Sequence, residues 1–179
     1  MKARATRANV MCVVAMVAAT ACGLSLARAQ TAPAGQFVAD RNSGCKVWNP
    51  HPLPGESAAW LGPCRDGFAD GVGRLQWFKD GKPIERDEGE WRQGRQEGRG
   101  SQDWMSGRYD GELVAGEPQG HGVLTLRSGR YEGAFSAGKP NGAGAMTSLE
   151  GSFRGIWKDG CLVGDKRRIA FGVSSALCR

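Results

Sequence analysis

Residues 109–129 read YDGELVAGEPQGHGVLTLRSG, and residues 131–151 repeat the pattern as YEGAFSAGKPNGAGAMTSLEG. The two stretches are 22 residues apart, and three series of glycines keep the same interval over much of the chain. The series are Gly89, Gly111, Gly133 and Gly155; Gly94, Gly116, Gly138 and Gly160; and Gly98, Gly120, Gly142 and Gly164. A fixed period of this length indicates a repeat protein.

Each unit has the pattern of a β-hairpin. Tyr109, Gly111 and Leu113 alternate with two acidic residues, and residues 123–126 alternate in the same way, which is the period of two of a half-buried strand. We expect the glycine-bearing segment 116–120 to connect the two strands. Because an isolated hairpin is marginal in water, the units must pair edge to edge. The sequence therefore predicts an all-β fold, an elongated single-layer antiparallel sheet of tandem β-hairpins.

Residues 131–144 resemble the MORN repeat, whose pattern is Tyr-x-Gly-x-Phe, then a glycine, then Gly-x-Gly. The resemblance covers five units over residues 58–164, of which the first is irregular and the last loses its final glycine. It implies an elongated sheet with a shallow groove, and a role as scaffold, adaptor or membrane-proximal module, with lipid binding often proposed. Asp87 departs from the pattern because it stands where the second unit should have its aromatic residue. Since recurring strand glycines mark close approaches, we expect each aromatic ring to lie over the glycines of the next unit.

The N-terminal residues 1–29 have the pattern of a cleaved signal peptide. Three basic residues precede an apolar run over 10–26, and Ala27-Arg28-Ala29 forms a small-x-small cleavage site. The run approaches the roughly 17 residues that span a bilayer, so an uncleaved membrane anchor stays open, as does a lipoprotein lipidated at Cys22. The expected location is periplasmic or secreted.

Cleavage would change the charge of the chain. The chain has a net charge of +6, with 24 lysines and arginines against 18 acids, and four of the basic residues lie in 1–29. The mature chain would thus keep 20 basic and 18 acidic residues, a net charge of +2. This balance gives no reason to expect a nucleic-acid partner.

Four cysteines remain after cleavage: Cys45, Cys64, Cys161 and Cys178. An even number of cysteines in an exported chain predicts disulfides. Strands lie about 4.8 Å apart, so Cys64 in the first unit and Cys161 in the fifth would be on the order of 40 Å apart. The local pairs Cys45–Cys64 and Cys161–Cys178 are therefore predicted, because a disulfide needs Cα atoms within about 7 Å.

The segments that flank the repeats are expected to close the two ends of the array. Residues 30–57 include three prolines within 50–54, which exclude a helix or a central strand there. We predict an extended leader with Trp48 packed over the edge of the first hairpin. Residues 165–179 are predicted to form a C-terminal cap.

The sequence contains no catalytic signature, and no cofactor or metal is expected. The Gly-x-Gly pairs recur in four units and lead into strands, so they are structural. His51 with Cys45 and Cys64 matches no common zinc spacing, and oxidation of the two thiols is the simpler expectation. We interpret Asp87, Glu88 and Glu90, which lie near Arg86 and Arg92, as a solvated and charge-balanced strand end.

The aromatic residues are the best functional candidates. If the register holds, they share one face, either as packed core or as the lining of an open groove for a sugar, a peptide or a second copy. These residues are Trp60, Trp77, Trp91, Trp104, Tyr109, Tyr131, Phe153 and Trp157. The sequence thus predicts a non-enzymatic scaffold or adaptor of the cell envelope with a protein partner. The alternative is a module that binds glycan, peptidoglycan or a phospholipid headgroup through the aromatic groove.

Overall fold

The computed structural model describes residues 35–178, which form one long antiparallel sheet and one small sheet. The long sheet has ten strands in the order β14-β13-β12-β11-β10-β9-β8-β7-β6-β3, and the small sheet has four in the order β1-β2-β5-β4. The predicted signal peptide lies outside the described residues. The strands are β1 (Gln36–Ala39), β2 (Lys46–Asn49), β3 (Glu56–Leu61), β4 (Cys64–Arg65), β5 (Phe68–Ala69), β6 (Gly71–Lys79), β7 (Lys82–Arg92), β8 (Arg95–Trp104), β9 (Gly107–Val114), β10 (Glu117–Leu126), β11 (Gly129–Ser136), β12 (Lys139–Ser148), β13 (Gly151–Lys158) and β14 (Cys161–Leu162). A 3-10 helix spans Ser175–Leu177.

Successive strands from β6 to β14 pair antiparallel with their neighbours in the chain, so the predicted sheet of tandem hairpins is confirmed. The hairpin turns are shorter than expected. In the third unit the turn is Ala115–Gly116, with φ of 51° and 81°, which is the geometry of a two-residue type I′ turn. Of the segment 116–120, expected to be the connection, only Gly116 lies in the turn; residues 117–120 belong to β10, where the register shifts between Pro118 and Gly122. Gly120, with φ 66°, lies within this irregularity.

A continuous row of glycines crosses the long sheet, one from each strand between β6 and β13. Gly111 pairs with Gly100 on one side and with Gly122 on the other, and the pattern recurs along the sheet. The row consists of Gly73, Gly89, Gly100, Gly111, Gly122, Gly133, Gly144 and Gly155.

Aromatic rings lie flat over this row. A Cβ added at Gly122 would stand 2.6 Å from Cε2 of Tyr109, and one added at Gly144 would stand 2.6 Å from Cε2 of Tyr131. Each ring thus covers the two glycines of its own hairpin. The prediction that it covers those of the next unit was wrong, because the ring leans along its own strand and across to the following one.

The face of the long sheet that carries these rings, here called the aromatic face, is covered at both ends. At the N-terminal end, Cys45 and Val47 pack with Trp60, Trp77 and Trp91 in one buried cluster. At the C-terminal end, Phe171 packs with a second cluster, which contains Tyr109, Leu113, Leu124, Tyr131, Phe135, Met146, Phe153 and Trp157. The terminal segments therefore add a second layer over parts of the sheet.

Residues 36–49 form a hairpin of β1 and β2 rather than the predicted extended leader. Val38 and Val47 pair within it, and Asp40 caps its turn by accepting hydrogen bonds from Ser43. The three prolines follow β2 and so do not interrupt it. Trp48 donates its backbone N–H to the carbonyl of Gly94 at 2.6 Å, away from the edge of the first hairpin where it was expected.

The two predicted cysteine pairs are compatible with the structure. Cys45 and Cys64 have Cα atoms 6.0 Å apart, and Cys161 and Cys178 have Cα atoms 5.5 Å apart, each pair being disulfide-bonded. The first pair joins Cys45, which precedes β2, to Cys64 of β4, so it links two strands of the small sheet. The second joins β14 to the segment after it.

The units are also linked by one recurring hydrogen bond. The backbone N–H of each turn glycine donates to a carbonyl of the preceding unit, at 2.7 to 3.0 Å. The pairs are Gly94 to Ala69, Gly116 to Gln96, Gly138 to Pro118 and Gly160 to Pro140.

Candidate functional site

The eight predicted groove residues share the aromatic face, and most of them are buried. Seven have exposed fractions between 0% and 8%, and Trp104 is partly buried. Most of the stripe is therefore packed core. Trp77, Trp91 and Trp104 are the members that also line an open cleft between the two buried clusters.

This cleft, here called the Asp87 cleft, has a volume of about 670 Å³. Its floor is formed by β7 and β8, and the terminal segments flank it. Four polar side chains lie on the floor of the cleft: Glu85, Asp87, Gln96 and Gln102. Three indoles form its walls: Trp77, Trp91 and Trp104. The residues of its rim are Asn49, His51, Glu56, Glu117 and Lys139.

The cleft lies where one repeat departs from the pattern of the others. The cross-strand row that holds Tyr109, Leu124 and Tyr131 continues into β8 and β7 as Gln102 and Asp87. Because a carboxyl group is much smaller than a phenol ring, the glycine pair Gly89–Gly100 has no aromatic ring above it. Gln96 fills part of that space, since a Cβ added at Gly100 would stand 2.7 Å from its Nε2.

Asp87 is the central polar group of the cleft. Its side chain is 3% exposed, and its Oδ2 accepts a hydrogen bond of 3.0 Å from Nε1 of Trp77. Burial, and then the charge of Glu85, raise the pKa of Asp87 well above its usual value of 3.8. The expectation of a solvated strand end is thus wrong for Asp87. It holds for the outward-facing Glu88, which is paired with Arg74 at 2.7 Å.

Glu85 lies two residues before Asp87 on β7, so both side chains point to the same face. Burial raises the pKa of Glu85 as well. Two neighbouring carboxyl groups with raised pKa values lose their protons in steps, so the pair holds one proton over part of its titration.

Two buried polar atoms of the cleft have no hydrogen-bond partner among the described residues. Within residues 35–178, no N–H or O–H group donates to Oδ1 of Asp87, and Nε1 of Trp91 has no acceptor. Trp91 is 4% exposed. Buried polar groups are normally paired, so each such atom needs a physical explanation.

The neighbouring amides, by contrast, are satisfied within the protein. Nε2 of Gln96 donates to the carbonyl of Glu88 at 3.2 Å, and Nε2 of Gln102 donates to Oε1 of Gln96 at 3.2 Å and to the carbonyl of Gly116 at 2.9 Å. This network fixes the floor on either side of Asp87. The buried polar atoms of the cleft that lack a partner within residues 35–178 are therefore Oδ1 of Asp87 and Nε1 of Trp91.

The rim of the cleft carries two acids, Glu56 and Glu117, beside the basic residues His51 and Lys139. Glu56 accepts hydrogen bonds from Nδ2 of Asn49 at 2.8 Å and from the N–H of Leu53 at 2.7 Å, and Glu117 lies 3.5 Å from Nε2 of His51. Across the described residues, no group of three His, Cys, Asp or Glu side chains is arranged to hold a metal ion.

The sequence marked Asp87 as an irregularity but did not identify the cleft. Glu85, Gln96 and Gln102 were missed, although the signal was present: Gln96 and Gln102 replace Pro118 and Leu124 of the next unit, 22 residues later.

The fold and the cleft define an array of β-hairpin repeats with one modified unit. The family model described as "MORN repeat" matches residues 88–107, 109–129 and 131–153, three consecutive units. Residues 88–153 of the chain are therefore MORN repeats. Such repeats are found in protein-interaction and membrane-binding modules. No curated protein matches the chain significantly.

Two further findings concern the setting of the protein. The disulfide-bonded cysteine pairs are typical of an oxidising, extracytoplasmic compartment. Among residues 35–178, no helix has the length and apolar composition that a membrane span requires.

Proposed function

We propose that this protein is a non-enzymatic interaction module of the cell envelope, periplasmic or secreted, which holds a partner protein through the Asp87 cleft. The observation that carries the proposal is the pair of buried, unpaired atoms, Oδ1 of Asp87 and Nε1 of Trp91, in an aromatic-walled cleft. Leaving such groups unpaired costs on the order of 1–3 kcal/mol each. A partner that pairs them gains this free energy back on binding.

The rest of the aromatic face offers little surface for a ligand. Tyr109 and Tyr131 are 0% exposed, and Phe171 covers the same cluster. Binding along the whole stripe, as in the glycan or headgroup alternative, would require these buried rings to be uncovered. The cleft is the part of the stripe that is open without rearrangement.

The test is capture of partners from envelope extract by the exported protein, with Trp104→Ala as the cleft variant. Trp104 is only partly buried, so its removal should leave the fold intact. Met105→Ala, at a neighbouring position that is 81% exposed, is the matched control. We expect a defined protein to be retained by the wild type and by Met105→Ala and lost with Trp104→Ala.

Parallel sedimentation with liposomes and with peptidoglycan tests the alternative. Retention in either pellet that Trp104→Ala abolishes, without a captured protein, would replace the protein partner by that envelope component. Equal capture by all three forms of the protein would show that the cleft is not the binding site.

A further inference from the structure

The carboxyl pair at the floor of the cleft has no cation from the protein itself. In the part of the chain that the structure describes, the ion pairs of the arginines and lysines are made with other acids, and none reaches Glu85 or Asp87. Two neighbouring carboxyl groups are satisfied by a retained proton or by a cation placed between them. The floor of the cleft is therefore built for one positive charge.

The walls suit a cation as well. The register places Glu85 opposite Trp77 on β6 and opposite Trp104 on β8, so an indole-bearing residue is its direct neighbour on each adjacent strand. Indole faces attract cations through the ring quadrupole. Among the described residues, the basic side chains that stack on rings use Phe37, Trp48, Phe68 and Phe153, which leaves these two indoles without such a contact.

The rim adds to the negative potential. Glu56 raises the pKa of Glu85 through its charge, and Glu117 also lines the opening. The titratable groups that face the pair or the opening are His51 and Glu56 from the N-terminal segment, Asp103 from β8, Glu117 from β10 and Lys139 from β12. Acids outnumber bases among them, so an approaching cation is favoured over an anion.

We propose that the Asp87 cleft binds an alkylammonium group between the side chains of Glu85 and Asp87. The ammonium donates to Oδ1 of Asp87 and to the carboxylate of Glu85, while its methylene chain lies against the indoles of Trp77 and Trp104. Where the pair holds a proton, that proton leaves to solvent as the ammonium enters. The proposal deepens the proposed function, on which it rests, by specifying a lysine side chain or a free amine as the group recognised.

An ammonium fits better than a guanidinium. The fork of an arginine side chain pairs best with both oxygens of one carboxylate. Oδ2 of Asp87 already accepts the hydrogen bond from Trp77, so Asp87 offers a single oxygen. A compact group with three rotatable donors can instead bridge one oxygen from each carboxylate.

The experiment is calorimetric titration of the exported protein with N-acetyl-lysine-methylamide, in two buffers that differ in ionisation enthalpy. We expect saturable binding, release of protons on binding, and an affinity that rises with pH until the pair is fully ionised. The norleucine analogue, which keeps the methylenes and lacks the charge, should bind at least about tenfold more weakly.

Two isosteric variants separate the site from the fold. Asp87→Asn keeps an acceptor for Trp77 and should weaken the lysine probe at least about tenfold, with an unchanged near-UV circular dichroism spectrum. Glu88→Gln, on the opposite face of the same strand, should bind like the wild type. Equal binding of the lysine and norleucine probes, unchanged binding by Asp87→Asn, or tighter binding of N-acetylglucosamine than of the lysine probe would each overturn the proposal.

Two further arms identify the source of the ammonium and separate the proposals. A lysine tripeptide that binds more tightly than cadaverine indicates a protein ligand, and the reverse order indicates a free amine; both orders require the ammonium site. Cleft-dependent capture of a partner without binding of the lysine probe would refute the ammonium site alone. Binding of the probe without capture would refute the protein partner alone.

Discussion

The substitution Gly144→Ala should destabilise the protein more than its size suggests. A Cβ at this position would stand 2.6 Å from Cε2 of Tyr131, and closer still to Cζ and Oη of the same ring. The ring cannot move aside easily, because it is 0% exposed and lies between Phe135 and Trp157, each with its centroid 5.2 Å away. Its hydroxyl also donates to the carbonyl of Ala134 at 3.1 Å.

The magnitude follows from two opposing effects. Overpacking of a tight core site costs about 1–3 kcal/mol, and this site belongs at the upper end because a whole ring is displaced. Replacing glycine by alanine restores about 0.4–1 kcal/mol by restricting the unfolded chain. The net loss should be about 2 kcal/mol, which lowers Tm by roughly 4–8 °C in a domain of this size.

The assay is urea unfolding followed by tryptophan fluorescence, with Gly155→Ala as the matched control. Gly155 belongs to the same glycine row and pairs with Gly144, but an added Cβ there meets only the flexible tip of Leu162, at 2.8 Å. Gly155→Ala should therefore cost less than about 1 kcal/mol. In a Tyr131→Leu background the cost of Gly144→Ala should largely vanish. Equal destabilisation by the two alanines, or no coupling to Tyr131, would refute the account of rings resting on glycines.

Three other predictions follow from the structure. Asp87→Asn should raise Tm at neutral pH. The folded-state pKa of Asp87 lies above its usual value of 3.8. The protonated carboxyl group therefore contributes stability that is complete below pH 3.8 and is lost as the pH rises through the folded-state pKa. The difference in Tm between variant and wild type should therefore widen as the pH rises above about 4, and a constant difference would contradict the burial of an ionisable pair. Cys178→Ser should lower the free energy of unfolding by about 3 kcal/mol, because the disulfide with Cys161 closes a loop with a sequence separation of 17. In thermal melts, reductant should lower the Tm of the wild type towards that of the variant. Ala137→Asn should stabilise the protein by about 0.5–1 kcal/mol, because Ala137 has φ of 47° at the first position of a type I′ turn, where asparagine before glycine is favoured. Urea unfolding measures the gain. An unchanged unfolding midpoint would mean that alanine at this positive φ causes no strain.

The repeat period predicted the sheet but not the position of its turns. Gly116 and Gly120 both have positive φ, and both lie between the two strand patterns of their unit. Only Gly116 belongs to the turn, whereas Gly120 relieves an irregularity within β10. Local sequence does not separate these two uses of glycine, because each requires the same backbone freedom.

The sequence located the irregular unit, but it predicted neither the cleft nor the burial of Asp87. The absence of an aromatic residue at Asp87 marked the irregular unit, and the charges of its neighbours suggested a solvated strand end. Its burial depends on cover that no local pattern encodes: Trp48 and Leu53 come from the N-terminal segment, and Val173 comes from the far end of the chain. Long-range packing of this kind decides whether a carboxylate is solvated or desolvated.

The hydrogen bond from each turn glycine to the unit before it gives the array a direction. The N–H of Gly116 donates to the carbonyl of Gln96, and that of Gly138 to the carbonyl of Pro118, 22 residues later, so these two units offer their successors an acceptor at the same position. Removal of residues 109–130 would bring the N–H of Gly138 to the carbonyl of Gln96, with the interval of the pattern unchanged. The number of units can therefore vary by whole hairpins while the ends and the modified unit stay the same, which makes the length of the molecule a property that can change independently of its binding cleft.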